Sequence, residues 1–340
     1  MKICQVLGGN EMGGLEKHFI ELCSRLATRH EVVAIAHPVY RSFIPSNVHF
    51  EAINLNLSRK NPIARWQLAR AIRRHQPDIV HAHANKAAAL VSSIRPFIRA
   101  TRVATIHSLK RNTRMFMNFD RVIAVSQATS EQLTGVESEV IYNGIVPPVV
   151  PEGVGKESLC REFLLTGERP VLIAVGRLVD VKGFDLLLAA MQEIEADLLI
   201  AGDGSGREDL ERFVARFSLG DRVKFIGYRE DIPTLLAGAD LVVISSRKEG
   251  FPYVLTEALH VRQAVLSTRV PGAAEILPAE MLVPCNSSLA LKKGILNYIE
   301  NKEKILPLFE PVWDFAVSHL TLDVMVQKIE HFYCELLNCE

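Results

Sequence analysis

The chain has 340 residues, with an apolar share of 48 % and a charged share of 23 %; that composition excludes a disordered or fibrous protein, and the length is a prior for two domains of about 150 residues each. Its formal charge is zero, yet residues 1–150 carry +9 (19 Lys and Arg against 10 Asp and Glu) and residues 151–340 carry −9 (20 against 29). Net charge steers association and not fold, so the positive half is expected to meet something anionic.

The six cysteines, Cys4, Cys23, Cys160, Cys285, Cys334 and Cys339, form no CxxC pair, which fits reduced thiols in a cytoplasmic protein better than a disulfide frame. Lys2 leads directly into a strand, so no signal peptide is expected, and no run reaches the roughly 18 uncharged apolar residues of a membrane-spanning helix.

The first predicted strand, 3–7, runs into "NEMGGLEKHF" and a helical pattern over 15–29. Gly13 and Gly14 stand at that junction. They suit a tight strand-to-helix turn. They equally suit a backbone that must approach a ligand, with the helix N-terminus behind them favouring an anion. The spacing is neither G-x-G-x-x-G nor a P-loop.

Further strands are predicted at 32–36, 78–83, 102–107, 121–125 and 139–142, with helices at 61–75 and 127–134. On the strand 78–83, His81 and His83 alternate onto one face as metal ligands would, but no third Cys, Asp or Glu ligand is evident nearby, so structural roles are expected. The helix 61–75 carries Arg65, Arg70, Arg73 and Arg74 around Trp66. With Lys110, Arg111 and Arg114 it is either an ordinary solvated face or a surface for anionic lipid headgroups. Lacking a broad apolar stripe, it is expected to attach electrostatically and not by insertion.

The stretch "PPVVPEGVG", Pro147 to Gly155, is the most Pro/Gly-rich of the chain and reads as a linker. The alternation then restarts, with strands at 170–175, 197–201, 222–226, 240–245, 264–268 and 281–284 and helices at 183–195, 206–217 and 252–262. Strands alternating with helices mean a parallel sheet covered on both faces, with ligands at the carboxyl ends of the strands. The expected fold class is therefore α/β, as two doubly wound Rossmann-like domains. The expected boundaries are 1–147 and 148–317.

In the second half, "AVGRLVDVKGFDLLL" places Arg177 and Lys182 just beyond a strand. Two cations there could neutralise a diphosphate without a metal, although either alone suits a solvated loop. "AGDGSG", Ala201 to Gly206, is a turn open to ligand approach. In "EGFPYVLTE", Pro252 suits a helix start, which puts Glu249 at the mouth of the helix and Glu257 about one and a half turns in. An ordinary capped amphipathic helix would show the same two carboxylates.

"GGLE", "GRLVDVKG", "AGDG", "FIGYRED" and "EGFPYVLTE", with "VSQAT" and "IYNGI" before the linker, occur in an order and spacing that resembles the retaining GT-B glycosyltransferases of family 4. The resemblance covers nearly the whole chain, and Glu-x7-Glu is that family's best-known signature. It implies two domains facing across a cleft, with a nucleotide-sugar donor, most readily a UDP-sugar, on the second and the acceptor on the first. It also implies that a C-terminal helix near 318–340 packs back onto the first domain. Gly13 and Gly14 are then donor contacts, Gly14 through its amide to the diphosphate. Arg177 and Lys182 bind the diphosphate, Gly202 belongs to the donor loop, and Tyr228 and Arg229 fall where the base edge is read. Glu249 contacts the donor sugar, with Gly250, Phe251 and Pro252 lining its turn, and Glu257 binds ribose. His107 ends a first-domain strand where the family often keeps a histidine beside the sugar. It could also be a satisfied strand-end histidine.

Glu249, His107, Arg177 and Lys182 are thus the candidate catalytic set. Lys17, Arg65, Arg70, Arg73, Arg74, Lys110, Arg111 and Arg114 are the candidate acceptor or membrane set, at the inner face of a membrane. No metal or other cofactor is expected. The acceptor would be a glycan or glycolipid, as in lipopolysaccharide core or other cell-surface glycan synthesis. Two other readings are a non-hydrolysing nucleotide-sugar epimerase of the same architecture and a nucleic-acid-binding protein using the basic half. No helix-turn-helix pattern supports the latter. "ALHVRQAVLS" departs from the family, with Arg262 and Ala264 where a Gly and a Pro are usual, and "VPGAAEIL" only approximates its glycine-rich turn, so Pro271 to Ala274 are uncertain contacts.

Overall fold

The computed structural model describes residues 1–339 and divides into two compact units, Met1–Gly144 with the chain from Leu322 onward, and Ile145–Thr321. The expected boundaries at 147 and 318 fall a few residues away. The Pro/Gly-rich stretch lies inside the second unit, and residues 318 and 319 close the helix Glu310–His319 instead of opening the last one.

The first unit holds seven strands: β1 (Lys2–Leu7), β2 (Glu31–Ala36), β3 (His49–Ala52), β4 (Ile79–His83), β5 (Thr101–Ile106), β6 (Arg121–Ala124) and β7 (Ser138–Val140). They pair in parallel in the order β3-β2-β1-β4-β5-β6-β7. Both faces are covered, which is why these strands read as near-continuous apolar runs. Val6, Val33, Val80, Ala104 and Val122 pack with Leu68, Ile72 and Leu90 from the helices Pro62–His75 and Ala84–Ser93. On the other face Ile3, Leu7, Val32, Ile79 and Val103 meet Phe19, Leu22 and Leu26 of the helix Gly14–Leu26, and Met325, Val326, Ile329 and Phe332 of the C-terminal helix Leu322–Leu337. By the period-2 rule Gln5, His81, His83 and Thr105 share that second face.

The second unit repeats the scheme with β8 (Val171–Val175), β9 (Asp197–Ala201), β10 (Val223–Gly227), β11 (Leu241–Ile244), β12 (Val265–Thr268) and β13 (Leu282–Val283), all parallel, in the order β10-β9-β8-β11-β12-β13. Each sheet therefore reverses its strand order once, between β1 and β4 and between β8 and β11. Those two points are where a doubly wound fold opens a ligand crevice at the carboxyl ends of its strands.

Sequence periodicity missed β3, whose residues His49–Ala52 contain no apolar run, and several helices, among them Ala84–Ser93, Lys156–Phe163 and Ser288–Ile305. No helix among the described residues is long and apolar enough to cross a membrane.

Candidate functional site

At the crevice of the second unit, β8 ends at Val175 and the chain passes through Gly176 into the loop carrying Arg177. Gly202, at the end of β9, adopts φ +133°, and a Cβ there would lie 2.0 Å from the Gly176 carbonyl oxygen. A Cβ on Gly204 would lie 2.6 Å from the Leu178 oxygen. The glycines of "AGDGSG" are thus required because their loop lies backbone to backbone against the Arg177 loop. Gly183, at φ +66°, starts the helix Phe184–Met191 against the Ser245 carbonyl.

The loop after β11 is tied to the same place. Arg247 donates to both carboxylate oxygens of Asp185 at 2.7 and 2.6 Å and to the Asp180 carbonyl at 2.7 Å. The Arg247 hydrogen bond holds the Asp185 carboxyl below its usual range. Ser245 Oγ donates to the Lys182 carbonyl at 2.9 Å. Between these ties Lys182 Nζ forms an ion pair with Glu249 Oε1, and Ser246 Oγ donates to that same oxygen at 3.1 Å. Val175, Phe184, Val243, Ile244 and Val254 line the recess beside Lys182. Lys182 and Glu249, 67 residues apart in sequence, are therefore brought together at the switch point.

The helix Tyr253–His260 follows, with Pro252 as its N-cap and no side-chain cap. Helix N-termini of this kind favour anions, although Leu255 N–H already donates to the Pro252 carbonyl at 3.2 Å. Pro252 stands one residue before the first helical residue, and Glu257 is the fifth residue of the helix and partly buried. Gly250 and Phe251 are buried in the turn, where Gly272 N–H donates to the Gly250 carbonyl at 2.8 Å. Arg177 is exposed beyond β8. Tyr228 is 77 % exposed after β10, while Arg229 is held by Asp231 at 2.7–2.8 Å and by Glu162 at 2.7 Å.

In the first unit Gly13 is the N-cap, extended at φ −177°, and Gly14 the first residue of the helix Gly14–Leu26, which carries Lys17 in its first turn. Four residues beyond Gly14, His18 points inward and is buried. His83 ends β4, and the partly buried His107 follows β5. Nitrogen atoms of His18, His83 and His107 all lie within 4.8 Å of one another. The group contains no Cys, Asp or Glu and does not include His81. His81 is fully engaged, at 2.5 Å to Tyr333 Oη and 2.6 Å to Thr105 Oγ1. His83 instead joins two histidines that sequence distance had hidden. The one available signal was that all three stand where a strand ends or the first helix begins.

Burial lowers the titration of all four histidines, His18 to about 4 and the others well below the ordinary value.

The basic surface differs from expectation in two respects. The Arg74 guanidinium is engaged by Glu51, so it is a weaker candidate for a lipid headgroup than Arg70 or Arg73. The helix Pro62–His75 also exposes apolar side chains: Ile63 and Trp66 are each 60 % exposed, with the Arg70 guanidinium 5.2 Å from the Trp66 ring. Those two residues fall on the turn away from the core residues Ala64 and Leu68, so the exposed face of this helix carries apolar as well as basic side chains. Lys110, Arg111 and Arg114 lie on or beside the short helix Arg114–Asn118.

Two family profiles match the chain: Glycosyltransferase Family 4 over residues 12–147 and Glycosyl transferases group 1 over residues 156–306. Among curated proteins, the lipopolysaccharide core biosynthesis glycosyltransferase LpsD of Rhizobium meliloti is 25 % identical over 312 residues, covering 87 % of each chain. The lipopolysaccharide core biosynthesis glycosyltransferase LpsE of the same organism is 27 % identical over 283 residues, covering 80 % of each chain. A human phosphatidylinositol N-acetylglucosaminyltransferase chain is 25 % identical over 362 residues, covering 95 % of this chain and 73 % of the other. Among solved structures, Anabaena Alr3699/HepE in complex with UDP-glucose superposes with a TM-score of 0.85 at 21 % identity, covering 98 % of this chain and all of the other, a likeness of fold.

Proposed function

The chain belongs to glycosyltransferase family 4 and has the two Rossmann-like units of the GT-B fold; from that premise we propose that it transfers a sugar from a UDP-sugar to a lipid-linked glycan, with retention at the anomeric carbon and without a divalent metal. The observation that carries this reading is the Lys182–Glu249 pair at the β8/β11 switch point, on residues that match the family's donor motif. The choice of UDP leans on Alr3699/HepE, described with UDP and UDP-glucose. The lipid-linked acceptor leans on the relatives named for lipopolysaccharide core synthesis and for phosphatidylinositol.

The chemistry follows from where charge develops. Breaking the bond between the anomeric carbon and the phosphate oxygen loads negative charge on the β-phosphate. Lys182, Arg177 and the N-terminus of the helix Tyr253–His260 are groups that can receive it, and preorganised donors act most strongly in a dry site. Before donor binds, Glu249 neutralises Lys182, and Ser246 helps to hold the carboxylate. A diphosphate then takes over Lys182, and Glu249 is released to accept hydrogen bonds from the sugar hydroxyls. Glu257 accepts from the ribose. The acceptor oxygen attacks from the face the phosphate leaves, and its proton passes to the departing phosphate oxygen. No protein carboxylate is then needed as nucleophile. In the first unit His107 is neutral, and its buried Nε2 has no hydrogen-bond partner.

We place the acceptor at an anionic membrane surface, with Arg65, Arg70 and Arg73 as the cations and Ile63 and Trp66 as shallow apolar contacts.

The test is turnover and hydrolysis across UDP-, GDP- and ADP-sugars with wild type, Lys182→Ala and Arg177→Ala. A charge-assisted contact to phosphate is worth about 1.5–3 kcal/mol, so each variant should lose at least about tenfold. Normal kinetics in both, or epimerisation of free donor without transfer to any acceptor, would overturn the assignment.

A further inference from the structure

We infer that His18, His83 and His107 form a tridentate site for one divalent transition-metal ion of the Zn²⁺ class, with a fourth position open. The three imidazoles converge at the β1/β4 switch point, from the first helix, the end of β4 and the residue after β5. Their ring centroids lie 4.9 Å apart (His18 and His107), 5.5 Å (His18 and His83) and 6.0 Å (His83 and His107). Their nitrogens already lie within 4.8 Å of one another. A tetrahedral Zn²⁺ with bonds of about 2.0–2.1 Å sets its ligand nitrogens roughly 3.3–3.4 Å apart, so small ring rotations complete the site.

The second observation is a set of unpartnered ring nitrogens. His18 Nδ1 and Nε2, His83 Nδ1 and His107 Nε2 are buried and have no hydrogen-bond partner. Buried polar atoms without partners are rare and ask for a ligand.

The third is the hydrogen-bond relay behind His83, which sets its tautomer. Gln5 Nε2 donates to Tyr333 Oη at 3.1 Å, so with the amide in this orientation its Oε1 faces His83 Nε2 at 2.6 Å and accepts from it. His83 therefore carries its proton on Nε2 and turns the Nδ1 lone pair toward His18 and His107. The relay continues through Tyr333 O–H to His81 Nδ1 and from His81 Nε2–H to Thr105 Oγ1. A ligating histidine whose far nitrogen donates to a fixed acceptor is the usual support of a metal site. His107 is the partly exposed member and gives the entry side. Neutral imidazole suits Zn²⁺, Co²⁺, Ni²⁺ and Cu²⁺, whereas Mg²⁺ and Ca²⁺ prefer oxygen.

This site is separate from diphosphate binding in the other unit.

The test is binding of Co²⁺ to the chelator-stripped full chain, read from the visible absorption of tetrahedral Co²⁺ and independent of activity. One equivalent is expected, displaced by Zn²⁺ and not by Mg²⁺. His107→Ala and His18→Leu should abolish the band, and Gln5→Leu should weaken binding by about 10- to 100-fold. Melting curves in chelator identify any variant that has lost its fold, and the partly exposed position 107 is the one least exposed to that risk. His49→Ala, in the surface trio of His49, Glu51 and His75, should leave the band intact. Absence of a tetrahedral Co²⁺ band in wild type, or a band that survives His107→Ala and disappears in His49→Ala, would overturn the inference.

Discussion

Gly202→Ala is expected to be the most damaging single methyl group in the second unit. Gly202 sits at φ +133°, outside the region open to alanine, and its added Cβ would lie 2.0 Å from the Gly176 carbonyl oxygen and 2.9 Å from the carbonyl carbon. Both obstacles are backbone, so relief requires moving the end of β8 against the end of β9. Gly176 N–H donates across that junction to the Ala201 carbonyl at 2.9 Å, and Gly202 N–H ties the same turn to β10 through the Gly227 carbonyl at 2.7 Å. Strain of about 1–3 kcal/mol for the disallowed backbone, plus about 1 kcal/mol for each hydrogen bond weakened, gives roughly 3–5 kcal/mol. For a unit of this size that is on the order of 10 °C in its thermal transition. Because Gly176 directly precedes Arg177, donor affinity should fall with it. Gly204→Ala, facing Leu178 backbone at 2.6–2.9 Å, should be milder, and Gly220→Ala, with nothing within 4 Å, should be nearly silent. The assay is a thermal melt of the three variants with a donor titration alongside. A Gly202→Ala protein melting within about 2 °C of wild type, or a Gly220→Ala protein equally damaged, would refute the backbone-contact argument.

The remaining expectations can be checked separately. In chelator-treated protein, stability should be full above pH 6.5 and fall as pH drops toward 4, because the unfolded chain binds protons that buried His18, His81, His83 and His107 refuse; each contributes a slope of up to about 1.4 kcal/mol per pH unit, and a urea midpoint that is flat over this range would contradict it. Transfer activity should survive EDTA, since the diphosphate is met by Lys182 and Arg177, and loss of activity restored by Mg²⁺ or Mn²⁺ would show that those cations do not suffice. The protein should sediment with vesicles containing anionic lipid and not with neutral ones; Arg70/Arg73→Ala should weaken this, while Trp66→Ala should reduce the fraction that persists at high salt. Gly14→Val should spare vesicle binding and abolish transfer, and an unchanged rate would remove Gly14 from the donor site.

What could be read from the sequence divides along physical lines. The twelve predicted strands correspond to observed ones because parallel strands covered on both faces must be apolar throughout, and that is visible residue by residue. The edge strand His49–Ala52 escaped because only a face in contact with the core needs apolar residues. Lys182 and Glu249 were picked individually from their motifs, but their pairing is a property of the β8/β11 switch point, which no local window contains. The histidine cluster was half visible. Strand alternation put His81 and His83 on one face, and only the packing of the first helix and the C-terminal helix decided that Tyr333 occupies His81 while His18 and His107 meet His83.

The two crevices use one strand order for opposite electrostatic ends. Residues 151–340 carry a net −9, yet the crevice assigned to a dianionic donor presents Arg177 and Lys182. Net charge is felt over distances that salt screens, whereas a cation beside a phosphate acts at contact. The local pair therefore decides binding, and the acidic remainder sets only the long-range approach. The first half inverts this arrangement. Its residues 1–150 carry +9, and at its switch point four imidazoles are held neutral by burial. Neutral imidazoles offer lone pairs and N–H groups, which suit sugar hydroxyls or a borderline metal ion better than a second anion. In the proposed reading, exposed cations such as Arg70 and Arg73 meet the anionic surface that carries the acceptor. Separating charge in this way lets one chain hold a charged donor and approach a charged surface without the two anions competing for the same groups.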